Sequence, residues 1–236
     1  PNNPQCLSSC FVITIFEDRF GELWIGTADG LNRFSQEEGT FIRYHHDPID
    51  PQCLGNNSVT SMQEDRTGAF WIGTLGGLDK FDRENDRFTH YTTGNGLPSE
   101  IVWGILEDEL GRLWLSSSNG LSRFDPRTEG FRNYDVSDGL QSNTFLNFTS
   151  YSKSQDGEMF FGGSNGFNAI FPDQIADNLT PPPVLITSFQ LANQPVAIGG
   201  DSVLQKSILE TAELVLSYQD HVFSFEFAAL NSRVPE

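Results

Sequence analysis

Basic residues are scarce. The chain of 236 residues has 14 Lys and Arg against 32 Asp and Glu, a formal net charge of −18 at pH 7. A surface of that sign repels a phosphate backbone and anionic lipid, which argues against nucleic acid as a partner of this region. Long apolar runs are missing too: no stretch approaches the roughly 20 residues a membrane-spanning helix needs. Cysteine occurs only as Cys6, Cys10 and Cys53, an odd count that rules out a self-contained disulfide framework. Pro4-Gln5-Cys6-Leu7 and Pro51-Gln52-Cys53-Leu54 are one loop written twice, 53 − 6 = 47 residues apart, so these cysteines read as small loop residues. His45-His46-Asp47 has no further ligand at metal spacing, so neither a metal nor another cofactor is expected. There is no Gly-x-Ser-x-Gly elbow, no dinucleotide fingerprint and no phosphate loop. An initiator Met and a signal peptide are also absent, and Pro1 falls inside a loop of the repeat described next, so the chain reads as a piece of a longer protein.

What the chain does have is aromatic residues, 20 of them Phe, and a motif it repeats. Glu17-Asp18-Arg19-Phe20-Gly21-Glu22-Leu23-Trp24-Ile25-Gly26-Thr27 returns as Glu64-Asp65-Arg66-Thr67-Gly68-Ala69-Phe70-Trp71-Ile72-Gly73-Thr74. It returns again as Glu107-Asp108-Glu109-Leu110-Gly111-Arg112-Leu113-Trp114-Leu115-Ser116, and in worn form around Asp156-Gly157-Glu158-Met159-Phe160. The spacings are 71 − 24 = 47, 114 − 71 = 43 and 160 − 114 = 46. A period in the forties, with a glycine turn before an aromatic strand, marks a propeller or solenoid.

Each repeat holds four short β signals; in the second they fall at residues 59–63, 70–74, 78–81 and 88–91. The fourth repeat lacks its last strand. A four-stranded unit of this length is a propeller blade, and closed propellers need about 4 to 8 of them. The expected fold is therefore all-β: a partial β-propeller of four-stranded blades over residues 1–172, with further blades preceding residue 1, and no cooperative folding of the isolated chain. Residues 173–183, with Pro181-Pro182-Pro183, read as a stiff linker that begins with one helical turn at 171–178. Residues 184–236 read as the front part of an immunoglobulin-like sandwich. Its strands are expected at 184–192, 194–198, 213–218 and 221–228, with Phe223, Phe225 and Phe227 on a buried face.

The adjacent Glu-Asp pairs tempt as acid/base catalysts, but neighbours on a strand point to opposite faces and the pair recurs in every repeat. Asp18, Asp65 and Asp108 with Gly21, Gly68 and Gly111 read instead as turn formers, Asp first and Gly last. Trp24, Trp71, Trp114 and the worn Phe160 share one strand position and read as packing between blades rather than sugar platforms. His90 and His221 fall in strand patterns and read as structural. Ligand contacts are expected from the loops that lead into each inner strand and from those between strands two and three. Asn57, Glu100, Asn143 and Asn147 are the candidates, because amides and carboxylates bond sugar hydroxyls. Trp103 joins them: it lies on an inner strand where other repeats carry Thr60 or Ile13.

The stretches Glu17 to Phe34 and Glu64 to Phe81 resemble the two-component regulator propeller repeat, and Phe160 to Asn168 resembles that family's terminal blade. Residues 182–187 and 216–227 are similar to the front half of the three-tyrosine (Y_Y_Y) domain that follows it. The resemblance implies the periplasmic part of a bacterial inner-membrane receptor, acting as a homodimer, sensing an oligosaccharide or other small molecule, and driving a histidine kinase or diguanylate cyclase. It implies no catalysis in this region. A propeller enzyme, such as a lyase or glycan-cleaving protein, and a passive protein-binding scaffold are the alternatives.

Overall fold

The computed structural model describes residues 3–145, 150–175, 184–218 and 220–229. The chain divides into two compact units, Pro1–Ile175 and Ala176–Glu236. In the first, β1 (Val12–Glu17), β2 (Leu23–Thr27), β3 (Gly30–Ser35) and β4 (Thr40–Tyr44) form sheet 1. Sheet 2 is β5 (Val59–Glu64), β6 (Phe70–Thr74), β7 (Gly77–Asp82) and β8 (Arg87–Tyr91). Sheet 3 is β9 (Val102–Glu107), β10 (Leu113–Ser117), β11 (Gly120–Asp125) and β12 (Gly130–Tyr134). Among the described residues, sheet 4 has β13 (Tyr151–Lys153), β14 (Met159–Gly163) and β15 (Gly166–Ile170). All four are antiparallel meanders in sequence order. Strands β1, β5, β9 and β13 lie against one another in turn, so the first strand of each sheet is innermost. This is an incomplete propeller of four-stranded blades.

The Asp turn explains the motif. Gly21 N–H donates to the Asp18 carbonyl at 2.9 Å and Asp18 N–H to the Glu22 carbonyl at 3.1 Å. Gly21, Gly68 and Gly111 close these turns at φ of 79°, 93° and 79°, the left-handed region that glycine occupies without strain. One carboxylate oxygen of each Asp accepts two backbone N–H groups of its turn. The other accepts the indole N–H of the tryptophan six residues on, at 2.9 Å for Asp18–Trp24, 2.8 Å for Asp65–Trp71 and 3.0 Å for Asp108–Trp114. The three carboxylates are buried, as are the three indoles. In sheet 4 the same turn is built on Ser154, not on Asp156: Gly157 N–H donates to the Ser154 carbonyl at 3.2 Å, and Ser154 N–H to the Glu158 carbonyl at 2.8 Å. Phe160 stands at the tryptophan position. A side chain with no N–H stands in place of Trp where a side chain with no carboxylate stands in place of Asp.

The faces of neighbouring sheets interlock by position. Each sheet offers Trp, Leu and Tyr to the next: Trp24, Leu31 and Tyr44 meet Val59, Met62, Phe70 and Phe81. Trp71, Leu78 and Tyr91 meet Val102, Ile105, Leu113 and Phe124, and Trp114, Leu121 and Tyr134 meet Phe145, Met159 and Phe161. Tyr44 and Tyr91 also donate their hydroxyls, at 2.8 Å each, to Asp86 and Glu129 of the following sheet. Those two acceptors stand at φ of 59° and 55°, where sheet 1 has Gly39. On sheet 1 the receiving face is open: Ile15 is 64% exposed where its counterpart Met62 is 5% exposed.

The rest of the Glu-Asp-Arg triplet crosses the junctions. Glu64 accepts the backbone N–H of Arg19 at 2.8 Å and forms an ion pair with its guanidinium at 2.9 Å, while Arg19 also donates to the Asp65 carbonyl at 2.6 Å. Glu107 receives Arg66 in the same way, N–H at 3.0 Å and Nε at 2.8 Å. At the third junction the charges are exchanged: Glu109 stands at the arginine position and pairs with Lys153, at the glutamate position, at 2.6 Å. The glutamates are thus junction residues as well as turn neighbours, a role the turn reading did not assign them.

In the second unit, β16 (Val184–Leu191) pairs with β18 (Phe223–Ala229), and the two-residue β17 (Gln194–Pro195) flanks β16. Residues 213–218, expected as a strand, form none, and Val215 and Tyr218 are exposed there. The helical turn expected from residue 171 is a hydrogen-bonded turn, Gln174 N–H to the Phe171 carbonyl at 3.0 Å, and residues 176–183 lie outside the described ones. Phe189 is buried against Phe225, at 5.1 Å between ring centroids, but Phe223 and Phe227 are more than half exposed. The expected buried phenylalanine face is covered only at its middle, because among the described residues this unit has a single sheet.

Asp65→Ala strands a buried indole N–H and the turn amides, and denaturant unfolding should show a loss of about 1–3 kcal/mol. Asp65→Ser combined with Trp71→Phe, the pair sheet 4 uses, should cost less than the two single changes added. Burial raises the carboxyls of Asp18, Asp65 and Asp108, but the hydrogen bonds they accept outweigh it and hold all three below the ordinary range. Stability from such groups is present above their unfolded-state pKa and lost as pH falls through the folded one, so acid should unfold the stack. Separately, Lys153→Glu should lower the melting midpoint by setting like charges together, and Glu109→Lys added to it should restore most of the loss.

Candidate functional site at the loop end

The described residues of the loops ahead of β1, β5, β9 and β13 lie, with the turns between second and third strands, at one end of the sheets. These loops are preorganised. Ser9, Asn56, Ser99 and Ser142 each accept, through the side-chain oxygen, the N–H two residues on, at 2.9 to 3.1 Å. Thr27, Thr74 and Ser117, all buried, tie the opposite turns by donating to the carbonyls of Gly30, Gly77 and Gly120 at 2.8 to 3.0 Å.

Three predicted site residues are one repeat position, since 100 − 57 = 143 − 100 = 43. The Asn57 side-chain oxygen accepts His46 N–H at 2.7 Å, and its carbonyl accepts Gly30 N–H at 2.6 Å, both from the preceding sheet. Asn143 does the same with Val136 N–H at 2.8 Å and Gly120 N–H at 2.6 Å. Each asparagine therefore staples two sheets with its oxygens. Glu100 stands where Thr93 replaces His46 and Val136; its carboxylate meets the Thr93 hydroxyl at 3.5 Å and is otherwise exposed. Trp103, half-buried on β9, donates its indole N–H to Ser118 Oγ at 3.1 Å and packs on the third junction. Asn147 lies outside the described residues.

A cavity of about 510 Å³ opens at this end of sheet 1, lined by Ser8, Cys10, Asp29, Arg43 and His45 among others. Cys10 is the counterpart of Asn57, one repeat earlier, so this cavity and the predicted residues share an end and a repeat position without sharing residues. Its lining offers hydroxyl, carboxylate and imidazole groups. Arg43 is already committed, donating to the Cys6 carbonyl at 3.1 Å.

Nucleophilic chemistry finds little support in this geometry. Cys53 Sγ is 3.8 Å from His46 Nδ1, but that nitrogen is 2.9 Å from the Leu54 carbonyl, to which it donates. A ring nitrogen that carries a proton toward a carbonyl is not a base for the thiol. Among the described residues no group of His, Cys, Asp or Glu is arranged to hold a metal ion. Nor is any helix among them long and apolar enough to cross a membrane.

Residues 6–29, 53–76 and 96–119 match the family model for the two component regulator propeller. Three stretches of this chain thus match that family's repeat. Over 90 residues it is 38% identical to histidine kinase P4 of Formosa agariphila, an alignment covering 38% of this chain and 6% of that protein. Two solved extracellular domains from B. thetaiotaomicron, described as belonging to hybrid two component systems, share the fold across 94% of this chain. The first has a TM-score of 0.70 at 24% identity and the second 0.58 at 18%. The chain spans 30% and 42% of those two domains. A catalytically inactive virginiamycin B lyase from Staphylococcus aureus shares the fold over 73% of this chain and 56% of its own, with a TM-score of 0.54 at 15% identity. This chain is thus similar to extracellular domains of two-component systems.

The staples make a direct prediction. Asn57→Ala and Asn143→Ala each leave a backbone N–H of the preceding sheet without its acceptor. Each should cost about 0.5–1.5 kcal/mol in denaturant unfolding, and Asn57→Asp, which keeps the oxygen, should cost less.

Proposed function

We propose that this chain is a non-catalytic, periplasmic ligand-sensing part of a bacterial two-component-type receptor. The observation that carries this reading is the loop end itself. Its backbone is held by Asx- and Ser-type turns and by staples between sheets, and it presents hydroxyl, amide and carboxylate groups with no assembled nucleophile–base pair among the described residues. Such a surface suits a neutral, polyhydroxylated ligand, because each hydroxyl donates and accepts at once and needs both kinds of partner. An oligosaccharide is the ligand class we favour, with two contacts: Glu100, whose carboxylate meets the Thr93 hydroxyl and is otherwise exposed, and the half-buried indole of Trp103. Similarity to extracellular domains of two-component systems supports the location and the signalling role. A homodimeric receptor would respond only if the ligand bound its two signalling states unequally.

The test is the melting midpoint of the complete extracellular part against a panel of oligosaccharides. A ligand at 100 times its Kd should stabilise the native state by about 2.7 kcal/mol. A shift confined to one glycan class, abolished by Glu100→Ala or Trp103→Ala and unaccompanied by turnover, is the expected result. Turnover of the same glycan would make this a propeller enzyme, and a flat response across the panel would remove the sugar reading.

A further inference from the structure

In sheets 1 to 3 a cross-strand pair on the third and fourth strands helps hold the lead-in loop to its own sheet. In sheet 1 the pair is Asn32 opposite Arg43: Asn32 Oδ1 accepts Ser8 N–H at 2.8 Å, and Arg43 Nε donates to the Cys6 carbonyl at 3.1 Å. In sheet 3 it is Ser122 opposite Asn133: Ser122 donates to Asn133 Oδ1 at 2.7 Å, and Asn133 Nδ2 donates to the Gly96 carbonyl at 2.8 Å. In sheet 2 it is Asp79 opposite His90. Asp79 Oδ2 accepts Gly55 N–H at 2.8 Å, its Oδ1 meets His90 Nδ1 at 2.8 Å, and His90 Nε2 meets the Pro51 carbonyl at 3.1 Å. Sheets 1 and 3 do this work with groups that keep one protonation state near neutrality; sheet 2 uses an imidazole.

The chemistry of that site is unambiguous about protons. His90 lies between a carboxylate and a carbonyl, both acceptors, and a neutral imidazole has only one N–H to give. Both bonds exist together only on the imidazolium. Asp79 is 1% exposed, so its charge acts on the ring with little screening. The hydrogen bond to Asp79 raises the His90 pKa above its ordinary value, against the opposing effect of burial. The other titratable groups nearby are engaged elsewhere: Asp50 caps Gln52 N–H at 2.9 Å, Cys53 bonds within its own loop, and Lys80 lies over the Trp71 ring at 5.4 Å.

We propose that the Asp79–His90 pair is a pH-operated clasp on the loop of residues 51–58, and through it on the Asn57 staple to sheet 1. Deprotonation removes one of the two N–H donors, frees the Pro51 carbonyl or Asp79, and loosens the loop. The clasp's effect on sensing rests on the reading of the loop end as a ligand surface; the clasp itself does not. The sign follows from the raised pKa: stability from this pair is fully present below the unfolded-state value and is lost as pH rises through the folded one.

Hydrogen exchange read by mass spectrometry on the intact protein tests this without any ligand, so a failed glycan screen leaves the result standing. Peptides over residues 51–58 are compared with the sheet 3 loop at 94–101 between about pH 5 and pH 9, after correction for intrinsic exchange. Protection of 51–58 should fall about three- to tenfold as His90 loses its proton, the loss of one net hydrogen bond. Residues 94–101, held by Asn133, should show no such step. His90→Asn, which copies the sheet 3 residue, should remove the step from 51–58. Parallel pH profiles for the two loops in the unaltered protein, or a step that survives His90→Asn, would overturn the proposal; the first comparison needs no variant to fold.

Discussion

A carboxylate buried between β-sheets is tolerated only when its lone pairs are used, and the Asp of each repeat uses them on its own turn and on the tryptophan six residues on. That one hydrogen bond fixes the indole in a single orientation. The ring then fills the space between its sheet and the next, with Leu and Tyr completing the row. Turn, strand spacing and sheet-to-sheet packing therefore hang on a shared constraint. Removing the Asp strands a buried indole N–H in each repeat, and removing Trp71 strands an Asp65 oxygen, whereas Asp18 and Asp108 keep Arg83 and Arg112. Sheet 4 shows the alternative: Ser154 and Phe160 replace the pair together, and its outward face carries the exposed Phe167.

Around that core the junctions are individual. Arg19–Glu64 and Arg66–Glu107 run in one direction and Glu109–Lys153 in the other. Repeats this similar are exchangeable by shape alone. A glutamate at 109 facing Glu64 or Glu107 would set two acids together, so the inversion favours the observed neighbour over its copies. The tyrosine bonds to Asp86 and Glu129 add a second distinction, since those residues hold a backbone conformation that sheet 1 assigns to Gly39. Here a hydrogen bond offsets the local strain of a non-glycine residue at positive φ.

The loop end is where the repeats stop being equivalent. One position reads Cys10, Asn57, Glu100 and Asn143 along the chain, stapling sheets where it is Asn and leaving a carboxylate exposed where it is Glu. A second reads Asn32, Asp79 and Ser122, clasping the loop by different chemistry each time. A scaffold that repeats its core and varies its loops concentrates specificity at one end, where a change costs little in packing.

Much of the first unit was legible in the residues alone. The strand positions, the glycine turns and the burial of Trp24, Trp71 and Trp114 all follow from a motif repeated at 43 to 47 residues, because period and alternation are local properties of the chain. The constant six-residue step from Asp to Trp was also in plain view, yet an indole N–H reaching back to a turn carboxylate is a contact that only the folded hairpin brings within 3 Å. The Arg–Glu junctions, the asparagine staples and the Asp79–His90 clasp join residues 7 to 45 positions apart, across strands or between sheets. The second unit read less well: its alternating phenylalanines promised a buried face, and burial depends on what packs against a strand. The chain by itself determined where strands and turns form, since propensity and periodicity act over a few residues. Tertiary structure alone decided which polar groups meet, because hydrogen bonds and ion pairs depend on distance in space and not along the sequence.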